Sequence, residues 1–283
     1  MIEWLIKIFI WLVLAILLTI IPFHLERSKQ RYKLTPFITY SIIGVNVLIF
    51  LIMIVYTILQ DPTFYSRVID HWGFKPHAFL NPSTDPQGFF GLFKIYIALI
   101  THQFLHGGFF HILGNMFFLH IFAPDIEIGQ NIGFRGHVKL PYNRLIPFLG
   151  FYLLCGVGAA LAHTFVFGFT DPQKTVLIGA SGAISGVLAA FLLKCWKDSR
   201  KLRIQVLYYI PKTVSANLYL IYWIILQFAL AFYYGNKGSV GYVAHLGGAL
   251  TGFVLSGLVF PWNDIIVKSQ RREWLSKRKS SFS

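Results

Sequence analysis

The chain has 283 residues, of which 55% are hydrophobic and only 13% charged; soluble globular domains carry about 25% charged residues, so a water-soluble fold is excluded. Apolar runs of about 18–24 residues recur, each enough to cross a hydrocarbon core of roughly 30 Å as a helix, and the alternation of a membrane β-barrel is absent. The net charge of +14 does not mark a nucleic-acid binder, because the basic residues flank apolar runs as the positive-inside rule requires.

The first run, 4–21, is longer than the apolar stretch of a cleavable signal and is followed by Pro22, Phe23 and His24 rather than by a small-residue cleavage site. It reads as a retained helix, with Lys7 reaching to the surface. A basic linker with Arg27, Lys29, Arg31 and Lys33 leads to a second span, 38–59. The connection 60–94 holds Pro62, Pro76, Pro82 and Pro86, which break any long helix. Its rings Trp72, Phe74, Phe79, Phe89, Phe90 and Phe93 suit a segment lying in the membrane surface.

Residues 95–123 are apolar yet contain His102, His106, His111, Asn115 and His120. Gly107 and Gly108 divide the run, so a helix is expected from about Phe109 to Pro124. His111 and Asn115, four residues apart, then share one face of it. A polar loop is expected over 124–144, a span over 145–168, and a short connection to 177. The segment 177–193 carries Ser181 between glycines, and 194–212 reads as a basic loop. Spans follow at 216–234 and from about 240 to Phe260, and the tail 261–283 is basic and polar. Seven spans are expected, with no soluble domain. Cys155 and Cys195 lie in different apolar runs and establish no disulfide.

Loops 22–36, 124–144, 194–214 and 261–283 hold most of the lysines and arginines and are expected on the cytoplasmic side. The amino terminus then faces out and the carboxyl terminus in. At 1.5 Å rise per residue, Ser181 and His111 each lie about 20 Å above the cytoplasmic edge, and His245 about 9 Å below the outer one. Ser181, His111, His245 and Asn115 therefore meet at one level in the outer half of the membrane. Two ridges of small residues, Gly182/Gly186/Ala190 and Ala244/Gly248/Gly252/Ser256, would let their helices approach closely.

A histidine in reach of a serine can remove its proton and activate it. The eleven acidic residues leave none at the level of Ser181, so a Ser–His dyad is expected, with His111, Asn115 and the Ser181 N–H as donors to a developing oxyanion. Should Ser181 open its helix, the helix dipole would add to them. A metal reading of His102, His106 and His111 fails, because their spacing gives no single face and no carboxylate joins them. His120 and His163 find no partner in this scheme and read as structural.

The motifs G-A-S-G at 179–182, A-H-L-G-G at 244–248 and H-Q-F-L-H-G-G-F-F-H-I-L-G-N at 102–115 resemble those of the rhomboid intramembrane serine proteases. H-W-G-F-K-P at 71–76 and D-I-E at 125–127 are similar to that family's connections. The resemblance covers about 36–260. It implies an all-α polytopic membrane fold, divided as an extra amino-terminal helix and linker at 1–35, a six-helix core at 36–260 and a tail at 261–283. It implies Ser181 as nucleophile, His245 as general base, His111 and Asn115 at the oxyanion, and His106, Gly179 and Gly182 as supporting residues, with no cofactor and no metal. Single-pass membrane proteins would be cut near the outer end of their transmembrane helix, in the lipid bilayer, with 216–234 and 235–240 as lateral gate and cap. A silent relative that escorts transmembrane segments is the alternative; such relatives usually lack the serine or the histidine. The chain departs from the family at Ser185, where an aromatic that packs on the catalytic histidine is common, and in its extra first helix. With no presequence before that helix, a prokaryotic plasma membrane is the expected address.

Overall fold

The computed structural model describes residues 21–25, 35–82, 88–132, 142–168, 176–195, 201–206, 210–234 and 241–259. The first predicted span lies outside them except for Ile21, and so do the tail 261–283 and the turn 235–240. The described chain runs β1 (Ile21–Leu25), α1 (Phe37–Leu59), α2 (Phe64–Trp72), α3 (Pro76–Leu80), α4 (Gly88–Thr101), a 3-10 turn (His102–Phe104), α5 (Phe109–Ile132), α6 (Tyr142–Phe167), α7 (Ser181–Cys195), β2 (Lys201–Val206), β3 (Ile210–Ser215), α8 (Ala216–Tyr234) and α9 (Tyr242–Val259).

Among the described residues, four helical stretches are long and apolar enough to cross a membrane: Phe37–Leu59, Phe109–Ile128, Phe148–Phe167 and Ala216–Tyr233. The chain is a helical, polytopic membrane protein. Its outer surface is what such a solvent demands: Ile58, Phe110, Phe165 and Phe232 all stand exposed, a pattern that suits lipid and would be costly in water.

α7 is different. Its 15 residues make a helix of about 22 Å, short of the roughly 30 Å core. It is also the most enclosed element, with Ala183, Val187, Ala190 and Phe191 fully buried among α5, α6 and α9. A Cβ at Gly248 would overlap the Gly182 carbonyl, and one at Gly252 would overlap Gly186. The two small-residue ridges expected from the sequence thus lie backbone against backbone, and dispersion between them replaces side-chain packing. Because α7 is short, its first residue starts inside the bundle rather than at its rim.

Several expectations are corrected. The basic loop at 194–212 is in part a hairpin, and β1 joins it in a three-stranded antiparallel sheet ordered β1-β2-β3. K-L-R-I-Q-V at 201–206 alternates with the period of a strand; Leu202 and Ile204 are buried while Arg203 is exposed. Pro211 lacks an N–H but sits on the edge strand β3, where that is tolerated.

α5 does not stop at Pro124 but continues to Ile132. The polar loop expected from 124 is therefore helical in its first part. Glu127, placed in that loop, is buried and caps α1: its carboxylate accepts from the Ile38 N–H at 2.9 Å, the Thr39 N–H at 2.8 Å and the Thr39 hydroxyl at 2.7 Å. These orphan donors would otherwise be unsatisfied at a helix start that offers no side chain of its own.

The connection 60–94 is largely helical. One of its prolines starts a helix rather than breaking one: Pro76 occupies the first turn of α3. Trp72, Phe90 and Phe93 are exposed, as a surface-lying segment requires. Phe74 is not: it is fully buried against Phe79 and His102. It belongs to the core because its backbone pairs with Leu177, N–H to carbonyl at 3.0 Å and in return at 2.8 Å.

These pairings fix sidedness. The β1–β2 pairing, the contact of β1 with α5 and the Glu127 cap bring Ile21–Leu25, the start of α1, the end of α5 and β2 to one end of the bundle. The Phe74–Leu177 bridge joins the segment between α2 and α3 to the residues just before α7.

Candidate active site

The segment before Ser181 is held open. Leu177 bridges to Phe74, and the Gly179 N–H donates to the His102 carbonyl at 2.8 Å. Gly179 has φ +115°, where a side chain is strained. A Cβ there would lie 2.8 Å from His111 Nε2. Glycine is therefore needed twice over, for the turn and for the approach of His111. Ser181 then opens α7, with the free N–H groups of a helix start around it.

His245 reaches Ser181 from α9. Its Nε2 lies 2.8 Å from Ser181 Oγ, and its Nδ1 lies 2.7 Å from Gln227 Oε1 on α8. A carboxamide oxygen only accepts, so Nδ1 carries the proton and Nε2 is left as acceptor for the serine hydroxyl. His111 has the opposite arrangement. The Gly107 N–H donates to its Nδ1 at 3.2 Å, which leaves the proton on Nε2, the atom that faces Gly179. Asn115 is buried, and its Nδ2 has no partner among the described residues.

Ser181, His245, His111 and Asn115 line one cavity of about 820 Å³. The four residues expected to meet do meet. His106 stands behind His111, ring centroids 5.2 Å apart, and its carbonyl accepts from the Tyr65 hydroxyl. Gly182 lets α6 approach: a Cβ there would lie 2.5 Å from the Ala159 Cβ. His163, read as structural, also lines the cavity.

Ser185 is fully buried and donates back to the Ser181 carbonyl at 2.6 Å; it brings no ring to His245. The rings beside the imidazole are Trp223 of α8, with centroids 6.1 Å apart, and Tyr242 of α9, edge-on at 6.2 Å. Gln227 and Trp223 were not singled out from the sequence. Their four-residue spacing in an apolar run was the available signal, since it puts an amide and an indole on one helix face.

A family model described as the Rhomboid domain matches residues 94–262. The chain belongs to the rhomboid family. Among curated rhomboid relatives, Rhomboid-like protein 11, chloroplastic, of Arabidopsis thaliana is 31% identical over 176 residues, 59% of this chain and 54% of that protein. RHOMBOID-like protein 6, mitochondrial, of the same plant is 27% identical over 251 residues, 82% of this chain and 72% of that one. RHOMBOID-like protein 5 is 32% identical over 158 residues, 56% and 42% respectively. The chain thus spans about half the length of the first of these relatives.

Proposed function

We propose that this rhomboid is an intramembrane serine endopeptidase. The observation that carries the reading is the 2.8 Å contact between Ser181 Oγ and His245 Nε2, which is within the reach a general base needs. Ser181 Oγ attacks the scissile carbonyl carbon while His245 Nε2 takes its proton. The carbonyl oxygen becomes an oxyanion facing His111 Nε2–H, Asn115 Nδ2 and the start of α7. On collapse the C–N bond breaks, the imidazolium returns its proton to the leaving amine, and an acyl-Ser181 ester remains. Water then attacks that ester with His245 again as base, releasing the acid and restoring the hydroxyl.

Donors fixed before the reaction stabilise an oxyanion without reorganising, and losing one such donor typically raises the barrier by about 2.7–4 kcal/mol. The two histidines, protonated on opposite nitrogens, suit opposite tasks. Substrates are single-pass membrane proteins, cut near the outer end of their transmembrane helix, as the family resemblance implies; the start of α7 partway into the bundle suits that reading. They enter from the lipid past α8. The basic sheet and the Glu127 end face the cytoplasm, and the plasma membrane is the proposed address.

The test is cleavage of a reporter transmembrane substrate in liposomes by the wild type and by Ser181→Ala. Loss of cleavage with the fold intact supports the reading. Undiminished cleavage by the variant removes it.

A further inference from the structure

We propose that Gln227 is the positioning residue of this site: its amide oxygen, delivered by α8, holds the imidazole of His245 in the tautomer that can accept the Ser181 proton. The inference rests on the protease reading and deepens it. A glutamine in a membrane helix is expensive unless its amide is hydrogen-bonded. Gln227 is buried although its neighbours Phe228 and Ile225 stand exposed, so the amide is turned into the bundle. There it meets His245 Nδ1 at 2.7 Å.

The tautomer follows from that contact. With Nδ1 as donor to Gln227, Nε2 is unprotonated and faces the serine hydroxyl. Without an acceptor at Nδ1 the neutral ring is free to carry its proton on Nε2, where it would oppose Ser181 Oγ with a second donor. A serine–histidine pair in the wrong tautomer is nearly idle. Among the described residues of α7, the Ser185 hydroxyl donates to the Ser181 carbonyl at 2.6 Å and makes no hydrogen bond to His245, whose Nδ1 partner is Gln227. Trp223, one turn before Gln227, lies beside the same imidazole with its plane 32° from it. One face of α8 therefore steers the direction of the base and, together with Tyr242 edge-on to the ring at 6.2 Å, its plane. The third member of the constellation is a neutral amide.

The experiment compares the wild type, Gln227→Leu and Gln227→Glu in liposomes, by cleavage kinetics and by the nitrogen resonances of His245 in labelled protein. The wild type is expected to show the Nδ1–H tautomer. Gln227→Leu is expected to lose it and to lower kcat about 10²-fold with KM unchanged. Gln227→Glu keeps an acceptor oxygen and is expected to restore kcat to within about tenfold of the wild type. A Gln227→Leu chain with wild-type kcat, or with the Nδ1–H tautomer retained, overturns the proposal. So does a loss that falls in KM alone, or a Gln227→Glu chain as slow as Gln227→Leu. A wild type that cleaves nothing overturns the protease reading itself, whatever the resonances show, so the two failures are told apart.

Discussion

Thr39 gives both its backbone N–H and its hydroxyl to the carboxylate of Glu127, a residue 88 positions further along the chain, at 2.8 and 2.7 Å. One side chain thereby pins the start of α1 to the far end of α5. Glu127→Ala would leave two buried N–H groups and a hydroxyl without an acceptor. A loss of about 2–3 kcal/mol of stability is expected, read as a lowered unfolding temperature in detergent. An unchanged unfolding temperature would mean that the cap contributes nothing.

Gly179→Ala tests the turn before Ser181. The new Cβ would fall 2.8 Å from His111 Nε2 on a backbone with φ +115°. Either the turn or His111 must move. Turnover is expected to fall about 10²-fold or more, as when an oxyanion donor is lost, while the helices remain formed by circular dichroism. Wild-type turnover in this variant would separate His111 from the reaction.

Asn115→Ala removes the Nδ2 that finds no partner among the described residues. A donor that engages only the transition state changes kcat and leaves KM alone. A fall in kcat of about 10²–10³-fold is expected. A rise in KM with kcat unchanged would assign Asn115 to ground-state binding instead.

The residues of the site were legible because the membrane makes them conspicuous. Ser181, His111, Asn115 and His245 are polar groups in apolar runs, and helix rise alone puts them at one depth. The glycine ridges were legible for a related reason, since Gly182 and Gly248 recur at a spacing that serves close backbone contact. Gln227 was not, because a single amide among aromatic residues says nothing until the rotation of α8 is known. Glu127 was missed through Pro124: a proline was read as the end of a helix that in fact runs through it. The sheet was missed because strand alternation in K-L-R-I-Q-V was outweighed by its charge, and because its third strand comes from a loop far away in the sequence.

Close backbone contact between α7 and α9 gives a further test. A Cβ at Gly248 would overlap the Gly182 carbonyl, which is backbone and cannot swing aside. Gly248→Ala is expected to lower stability by about 1–3 kcal/mol and to separate His245 from Ser181. Unfolding temperature and cleavage should fall together. A fully stable and active variant would show that the ridges have room to spare.

Sidedness is open to chemical labelling. Asp70 on α2, which follows α1, and Arg203 on β2, which pairs with the strand that precedes α1, are both exposed. In a chain with Cys155 and Cys195 replaced by alanine, Asp70→Cys and Arg203→Cys should react with an impermeant maleimide from opposite sides of sealed vesicles. Labelling of both from one side would contradict the arrangement.

The serine–histidine contact is tested most directly by a fluorophosphonate probe, which bonds only to an activated hydroxyl. Labelling is expected at Ser181 in the wild type, and is expected to vanish in both Ser181→Ala and His245→Ala while the helical fold persists. A wild-type chain that is folded and stays unlabelled, or a His245→Ala chain that labels as fast as the wild type, would contradict it.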